Sequence, residues 1–186
     1  MRVIAGSLRG RRLKAPPGAD TRPTGDRVKQ TLFDILAPRI GGCRFVDLFA
    51  GSGAIGLEAV SRGAASVLLV DHGRAATEAA RENAAALKVG PGVLAVERAT
   101  VSAALTRLAA RGERFDIAFL DPPYDSPEYE RAIEALGAVL AEDGIVIAEH
   151  FHKRDLPETI GSLVRTRAVR VGDHRLSFYE RGERSA

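Results

Sequence analysis

The 186-residue chain predicts an α/β fold: a mostly parallel seven-stranded sheet with an antiparallel last strand, preceded by a small N-terminal β-hairpin and helix. Three observations predict it. Short apolar runs alternate with helical stretches from about residue 41 onward, and a glycine-rich turn follows the first of those runs. Near the C-terminus, Leu163 to Val171 and Arg175 to Arg181 flank Gly172-Asp173-His174, as the arms of an antiparallel hairpin would.

In chain order, Arg2 to Ala5 and Arg11 to Ala15 are expected to pair around Gly6 and Gly10, before a Pro/Gly-rich connector from Pro16 to Gly25. Asp26 then caps a helix of about a dozen residues that ends before Pro38. The sheet starts near Gly41. Arg44 to Leu48 reads as the first strand, Ala54 to Arg62 as a helix and Ser66 to Val70 as the second strand. Arg74 to Lys88, rich in alanine, is a strong helix former. Val93 to Glu97, Ser102 to Ala110 and Phe115 to Leu120 continue the alternation, with Gly112 as punctuation. Glu128 to Leu140 is helical, and the apolar run from Gly144 to Glu149 suits a strand buried on both faces. The expected division is residues 1–40 as a basic hairpin and helix, and 41–186 as the sheet domain.

A composition of 45% hydrophobic and 27% charged residues is that of a globular protein. No stretch approaches the roughly 20 apolar residues of a membrane span, so no membrane association and a cytoplasmic location are expected. Cys43 is the only cysteine, which excludes disulfide and multi-cysteine zinc readings. His72, His150, His152 and His174 lack the helical spacing of a metalloprotease site, and no metal is expected.

Charge is unevenly placed. The first 30 residues hold Arg2, Arg9, Arg11, Arg12, Lys14, Arg22, Arg27 and Lys29 against Asp20 and Asp26, although the whole chain is only +3. A segment of this kind meets polyanions through phosphate contacts, or is simply a solvated basic arm.

Gly51-Ser52-Gly53-Ala54-Ile55-Gly56 fits a turn that brings backbone close to an adenosine-bearing cofactor. Asp71, at the end of the second strand, is placed to accept ribose hydroxyls or to cap a helix. Asp47 helps to separate the cofactor classes and shifts the balance toward a sulfonium. A carboxylate beside the loop repels a pyrophosphate but suits the sulfonium and amino group of S-adenosylmethionine; it equally suits loop amides.

Asp121-Pro122-Pro123-Tyr124 follows the fourth strand, where ligands bind beyond the carboxyl ends of a parallel sheet. Two prolines fix two φ angles and remove two donors, leaving carbonyl acceptors in a stiff turn. An exocyclic amine is a poor nucleophile because its lone pair is delocalised. The Asp121 carboxylate and Pro122 carbonyl, each accepting one amino hydrogen, would aim that lone pair at the methyl donor. Tyr124 offers a face for an unstacked base. The bland reading is an ordinary turn with Tyr124 packed on the core.

The stretches Arg22-Pro23-Thr24-Gly25-Asp26-Arg27-Val28-Lys29-Gln30-Thr31-Leu32-Phe33, Asp47 to Ala59 and Asp121 to Tyr124 resemble the RsmD-type 16S ribosomal RNA guanine-N2 methyltransferases of bacteria. The likeness covers nearly the whole chain, including Arg2-Val3-Ile4-Ala5-Gly6. It implies a Rossmann-like class I methyltransferase fold, S-adenosylmethionine as cofactor, and methylation of a guanine N2 in 16S rRNA, within the small ribosomal subunit or an assembly intermediate. The residues expected at the cofactor are Asp47, Phe49, Ala50, Gly51, Ser52, Gly53, Asp71, His72, Thr100 and Asp121. Those expected at RNA are Arg2, Arg9, Arg11, Arg12, Lys14, Arg22 and Arg27. One departure from the family pattern is Arg98-Ala99-Thr100 after the third strand, where an acidic residue usually meets the adenine; Thr100 or backbone groups are expected to serve there. A monomer is expected. The competing readings are an N6-adenine methyltransferase acting on DNA or RNA, a protein-amide methyltransferase, a nicotinamide-binding oxidoreductase and a catalytically silent RNA-binding module.

Overall fold

The computed structural model describes residues 1–16, 25–123 and 126–182. At the N-terminus, Val3 N–H donates to the Arg11 carbonyl, and one antiparallel bridge joins Arg2 to Arg12. Beyond it come α1 (Asp26–Leu36), β1 (Arg44–Leu48), α2 (Ala54–Ser61), β2 (Ser66–Asp71), α3 (Arg74–Ala86), β3 (Leu94–Arg98) and α4 (Val101–Ala110). The chain continues with β4 (Phe115–Leu120), α5 (Glu128–Leu136), β5 (Leu140–Phe151), β6 (Thr159–Ile160), β7 (Leu163–Val171) and β8 (His174–Arg181).

Among the described residues the strands form one sheet in the order β3-β2-β1-β4-β5-β8-β7-β6. Strands β1 to β5 are parallel, and β8 enters antiparallel between β5 and β7. Seven of these strands make the expected class I methyltransferase sheet with its reversed last strand. The eighth, β6, corrects the expected number: a two-residue pairing at the edge of β7 is too short to leave a periodic signal.

Two other expectations are corrected. The helix expected to reach Leu140 ends at Leu136, because Leu140 already pairs with Phe115 in the sheet, ahead of a register shift before Ile117 and Ile145. Asp26 is the first helical residue rather than the cap; its carboxylate sits 3.1 Å from the Arg2 guanidinium, a stronger partner than a backbone amide.

Alternation along the strands sorts the core into two layers. Phe45, Leu69, Phe119 and Ile147 face α1, α2, α3 and the N-terminal residues Val3 and Leu13. Val46, Val70, Ala118 and Val146 face α4 and α5. Strand order reverses between β1 and β4, so the loops after these two strands diverge and leave a crevice at their carboxyl ends.

The N-terminal segment is fastened to α2 by buried polar groups. Glu58, fully buried, accepts the amides of Ile4 at 2.7 Å and Ala5 at 3.0 Å, and pairs with Arg62 at 2.8 Å and Lys29 at 3.6 Å. Ser61 Oγ donates to the Ala5 carbonyl and accepts the Leu8 amide. Gly6 passes so close that a Cβ there would lie 1.9 Å from the Ser61 carbonyl oxygen, and its φ of +82° is one that glycine tolerates.

Candidate active site

The loop after β1 is shaped by backbone conformation before any side chain matters. Phe49, Gly51 and Gly53 take φ values of 63°, 55° and 78°. For a bulky residue such as Phe49 this costs on the order of 1–3 kcal/mol, the kind of strain that persists where a site over-determines its backbone. Gly56 lets α2 lie directly on β2, since a Cβ there would come within 2.2 Å of a Leu69 methyl. Asp47 is 2% exposed and accepts the Gly56 amide at 3.1 Å, so it stands behind the loop and orders it. Burial pushes its carboxyl up to about 8, opposed by that amide and reinforced by Asp71 and Glu149.

Asp71 closes the same loop from β2. Its two oxygens accept the amides of Gly51 at 2.9 Å and Gly73 at 2.7 Å, and each keeps a second lone pair. Ser52 is buried, Ala50 is half-buried, and His72 stands exposed beside Asp71. Thr100 caps α4, its Oγ1 accepting the Ala103 amide at 3.3 Å. Glu97, an acidic residue of β3, is paired with Arg107.

Strand register sets the reaction end of the site. Asp47 is level with Leu69 on β2 and with Phe119 on β4, and Phe119 is level with Ile147 on β5. Two residues further along, Asp71, Asp121 and Glu149 therefore project from the same sheet face as Asp47. Asp121 is half-buried, and Glu149 is 1% exposed. Burial first, then the charges of Glu149 and Asp47, hold Asp121 well above the ordinary carboxylate range. His174, at the start of β8, places Nδ1 2.7 Å from Glu149 Oε1. Three carboxylates thus converge toward the carboxyl ends of β1, β4 and β5, where a cation would relieve their repulsion.

The Asp-Pro-Pro turn is itself held. Pro122 is buried, Pro123 is exposed, and the Tyr129 hydroxyl lies 3.1 Å from the Pro122 carbonyl and 3.0 Å from that of Glu149. One phenolic proton serves both acceptors, so the Pro122 carbonyl keeps a lone pair for another donor. Sequence reasoning missed Tyr129 and Glu149. Glu149 had a signal, being the one charged residue that closes the apolar run beside the Asp121 strand; Tyr129 on α5 had none. Asn83 was also missed: its amide holds the Lys14 backbone from both sides at 2.8 and 3.0 Å and donates to the Ser52 carbonyl at 3.0 Å.

Arg2, Arg9, Arg11, Arg12, Lys14 and Arg27 are all exposed. Arg2 pairs with Asp26 and Lys14 with Glu82. A cleft of about 620 Å³ runs between the hairpin and the starts of α1 and α2, with Arg2, Arg12, Lys29 and Ala54 on its walls. It joins the basic segment to the glycine loop. Arg22 and Tyr124 lie outside the described residues.

The model of a family described as "Conserved hypothetical protein 95" matches residues 1–180. The chain is 39% identical over 183 residues to YlbH of Bacillus subtilis (strain 168), whose name assigns it provisionally to the rRNA methyltransferases; 97% of this chain and 99% of the relative are covered. It is 40% identical over 159 residues to ribosomal RNA small subunit methyltransferase D of Escherichia coli (strain K12), covering 84% of this chain and 78% of the relative. Among solved structures, the Escherichia coli protein yhhF, provisionally described as a methyltransferase, superposes with a TM-score of 0.83 at 37% identity, covering 97% of each chain.

Proposed function

The chain belongs to the family described as conserved hypothetical protein 95, and from that premise we propose that it methylates the exocyclic N2 amine of a guanine in 16S rRNA of the small ribosomal subunit. At the coarser level it is an S-adenosylmethionine-dependent rRNA methyltransferase. Neither the N6-adenine nor the nicotinamide reading is favoured by this membership. The proposal takes the protein to act as a monomer in the cytoplasm, on naked RNA or an assembling particle. No helix among the described residues is long and apolar enough to cross a membrane.

The residues present fit the cofactor. Gly51 and Gly53 turn the backbone tightly, Asp71 has lone pairs left for ribose hydroxyls, and the mutually repelling carboxylates suit a positive centre. Bound there, S-adenosylmethionine supplies an electrophilic methyl group on a sulfonium. The chain's own part is to prepare the amine. Asp121 and the Pro122 carbonyl accept its two hydrogens, which aims the lone pair and stabilises the charge developing on nitrogen. Tyr129 keeps the Pro122 carbonyl in place, and Asp121 or water takes the surplus proton.

The observation that carries this reading is the placement of Asp121 and the Pro122 carbonyl at the sheet's carboxyl end, level with Glu149 and next to the glycine loop. The test is methyl transfer from labelled cofactor to small-subunit particles and naked rRNA from a host lacking its own enzyme, with the product nucleoside identified. N2-methylguanosine is expected. N6-methyladenosine would keep the chemistry and replace the substrate, and no product would overturn the reading.

A further inference from the structure

The N-terminal hairpin, with its exposed arginines, is held by Glu58 and Ser61 on α2 and by Asn83 on α3, the helices that follow β1 and β2. It therefore belongs to the half of the sheet that carries the glycine loop. The Asp121 turn follows β4, and the opposite half, β5-β8-β7, bounds it on the other side. A nucleotide with its base at that turn has two flanking phosphates, and the one directed away from the hairpin would face that opposite half.

A basic surface stands there. The loop after β5 and the turn between β7 and β8 are joined, because the His152 amide donates to the Asp173 carbonyl at 2.8 Å. Together they present Lys153, Arg154, Arg170 and Arg175 against Asp155, Glu158 and Asp173. The surface is coupled to the turn: Arg154 lies 4.3 Å above the ring of Tyr129, whose hydroxyl meets the Pro122 carbonyl. Arg154 also pairs with Glu130 at 3.5 Å, and Arg175 approaches the exposed Asp155 at 3.9 Å. Lys153 and Arg170 are different. Both are exposed and neither has a carboxylate partner among the described residues: Lys153 overlies Phe151, and Arg170 donates only to the Gly172 carbonyl.

We propose that the loop after β5 and the β7–β8 turn form a second RNA-binding surface, in which Lys153 and Arg170 hold backbone phosphate on the side of the target base away from the N-terminal hairpin. This rests on the rRNA reading above. Two uncommitted cations at the rim are placed for counterion release, while Arg154 gives the surface a fixed relation to the reacting turn.

The experiment measures binding of unmethylated small-subunit rRNA against salt concentration, for the full chain and for the double variant Lys153→Gln with Arg170→Gln. Removing two phosphate contacts should lower the slope of log K against log salt by about 1.4 to 1.8 and weaken binding about tenfold near physiological salt. Cofactor affinity and kcat at saturating RNA should stay unchanged, and the charge-keeping pair Lys153→Arg with Arg170→Lys should restore the slope. A wild-type slope in the double variant, with methyl transfer intact, overturns the surface and leaves the rRNA reading standing. Absence of methyl transfer to RNA by the wild-type protein overturns that reading and this surface with it. A lost slope that accompanies lost cofactor affinity would show damage to the fold and also count against the surface, unless the charge-keeping pair restores both.

Discussion

Glu58 and the strand-end carboxylates are both buried negative charge, but their surroundings are opposite. Glu58 is surrounded by donors: two backbone amides, Arg62 and Lys29. Asp47, Asp121 and Glu149 converge near the ends of neighbouring strands, and burial together with the neighbouring carboxylates raises the proton affinity of Asp47 and Asp121. A carboxylate whose lone pairs are filled by the protein holds structure together. Carboxylates that face one another with few donors among them suit a cationic ligand.

Glu58→Ala should produce the largest effect. It leaves two amides and two cations without their buried partner, a loss on the order of 3–5 kcal/mol in urea unfolding. A change below about 1 kcal/mol would show that water replaces the carboxylate and would dissolve the contrast. Asp121→Ala tests the other side. Its loss should lower kcat on the order of 10²–10³-fold, through a transition-state contact, with cofactor affinity nearly unchanged and no loss of folding stability. Equal losses in affinity and rate would move Asp121 from the reaction to cofactor binding.

Tyr129→Phe should have a smaller effect, about tenfold in kcat with KM for RNA unchanged, because the Pro122 carbonyl stays in its turn but loses the hydroxyl that fixes its direction. A changed KM with an intact kcat would make the hydroxyl a binding group. A last effect is one of pH. Asp47 is raised from 3.8 to about 8 in the folded chain, so over that window the folded state holds a proton that the unfolded chain has released. Stability should therefore fall as pH rises from about 4 to 8 and level off beyond. Asp47→Asn, which can still accept the Gly56 amide, should flatten the fall; an identical slope in the variant would assign it to other groups.

Much of this was legible in the chain alone. Alternation located β1 and β4 to the residue, and the Gly51–Gly56 turn announced itself by spacing. The hairpin turn at Gly172-Asp173 was legible because the two runs around it are β-type and the turn chemistry is local. Boundaries set by long-range pairing were not. Leu140 sits in a stretch with helical pattern, but Phe115, 25 positions earlier, draws it into the sheet. Thr100, expected at an adenine, also caps its own helix, a local hydrogen bond that was available all along.

The sequence by itself determined the layers, the strand polarity and the residue types of the site, because period, turn chemistry and residue spacing are local properties. Only the tertiary structure decided which charges meet. That Asp47, Asp121 and Glu149 converge, that Tyr129 holds Pro122, and that Glu58 ties down residues 53 and 54 positions away all follow from strand order and register. Register is a relation between segments distant along the chain. No local pattern within either segment carries it.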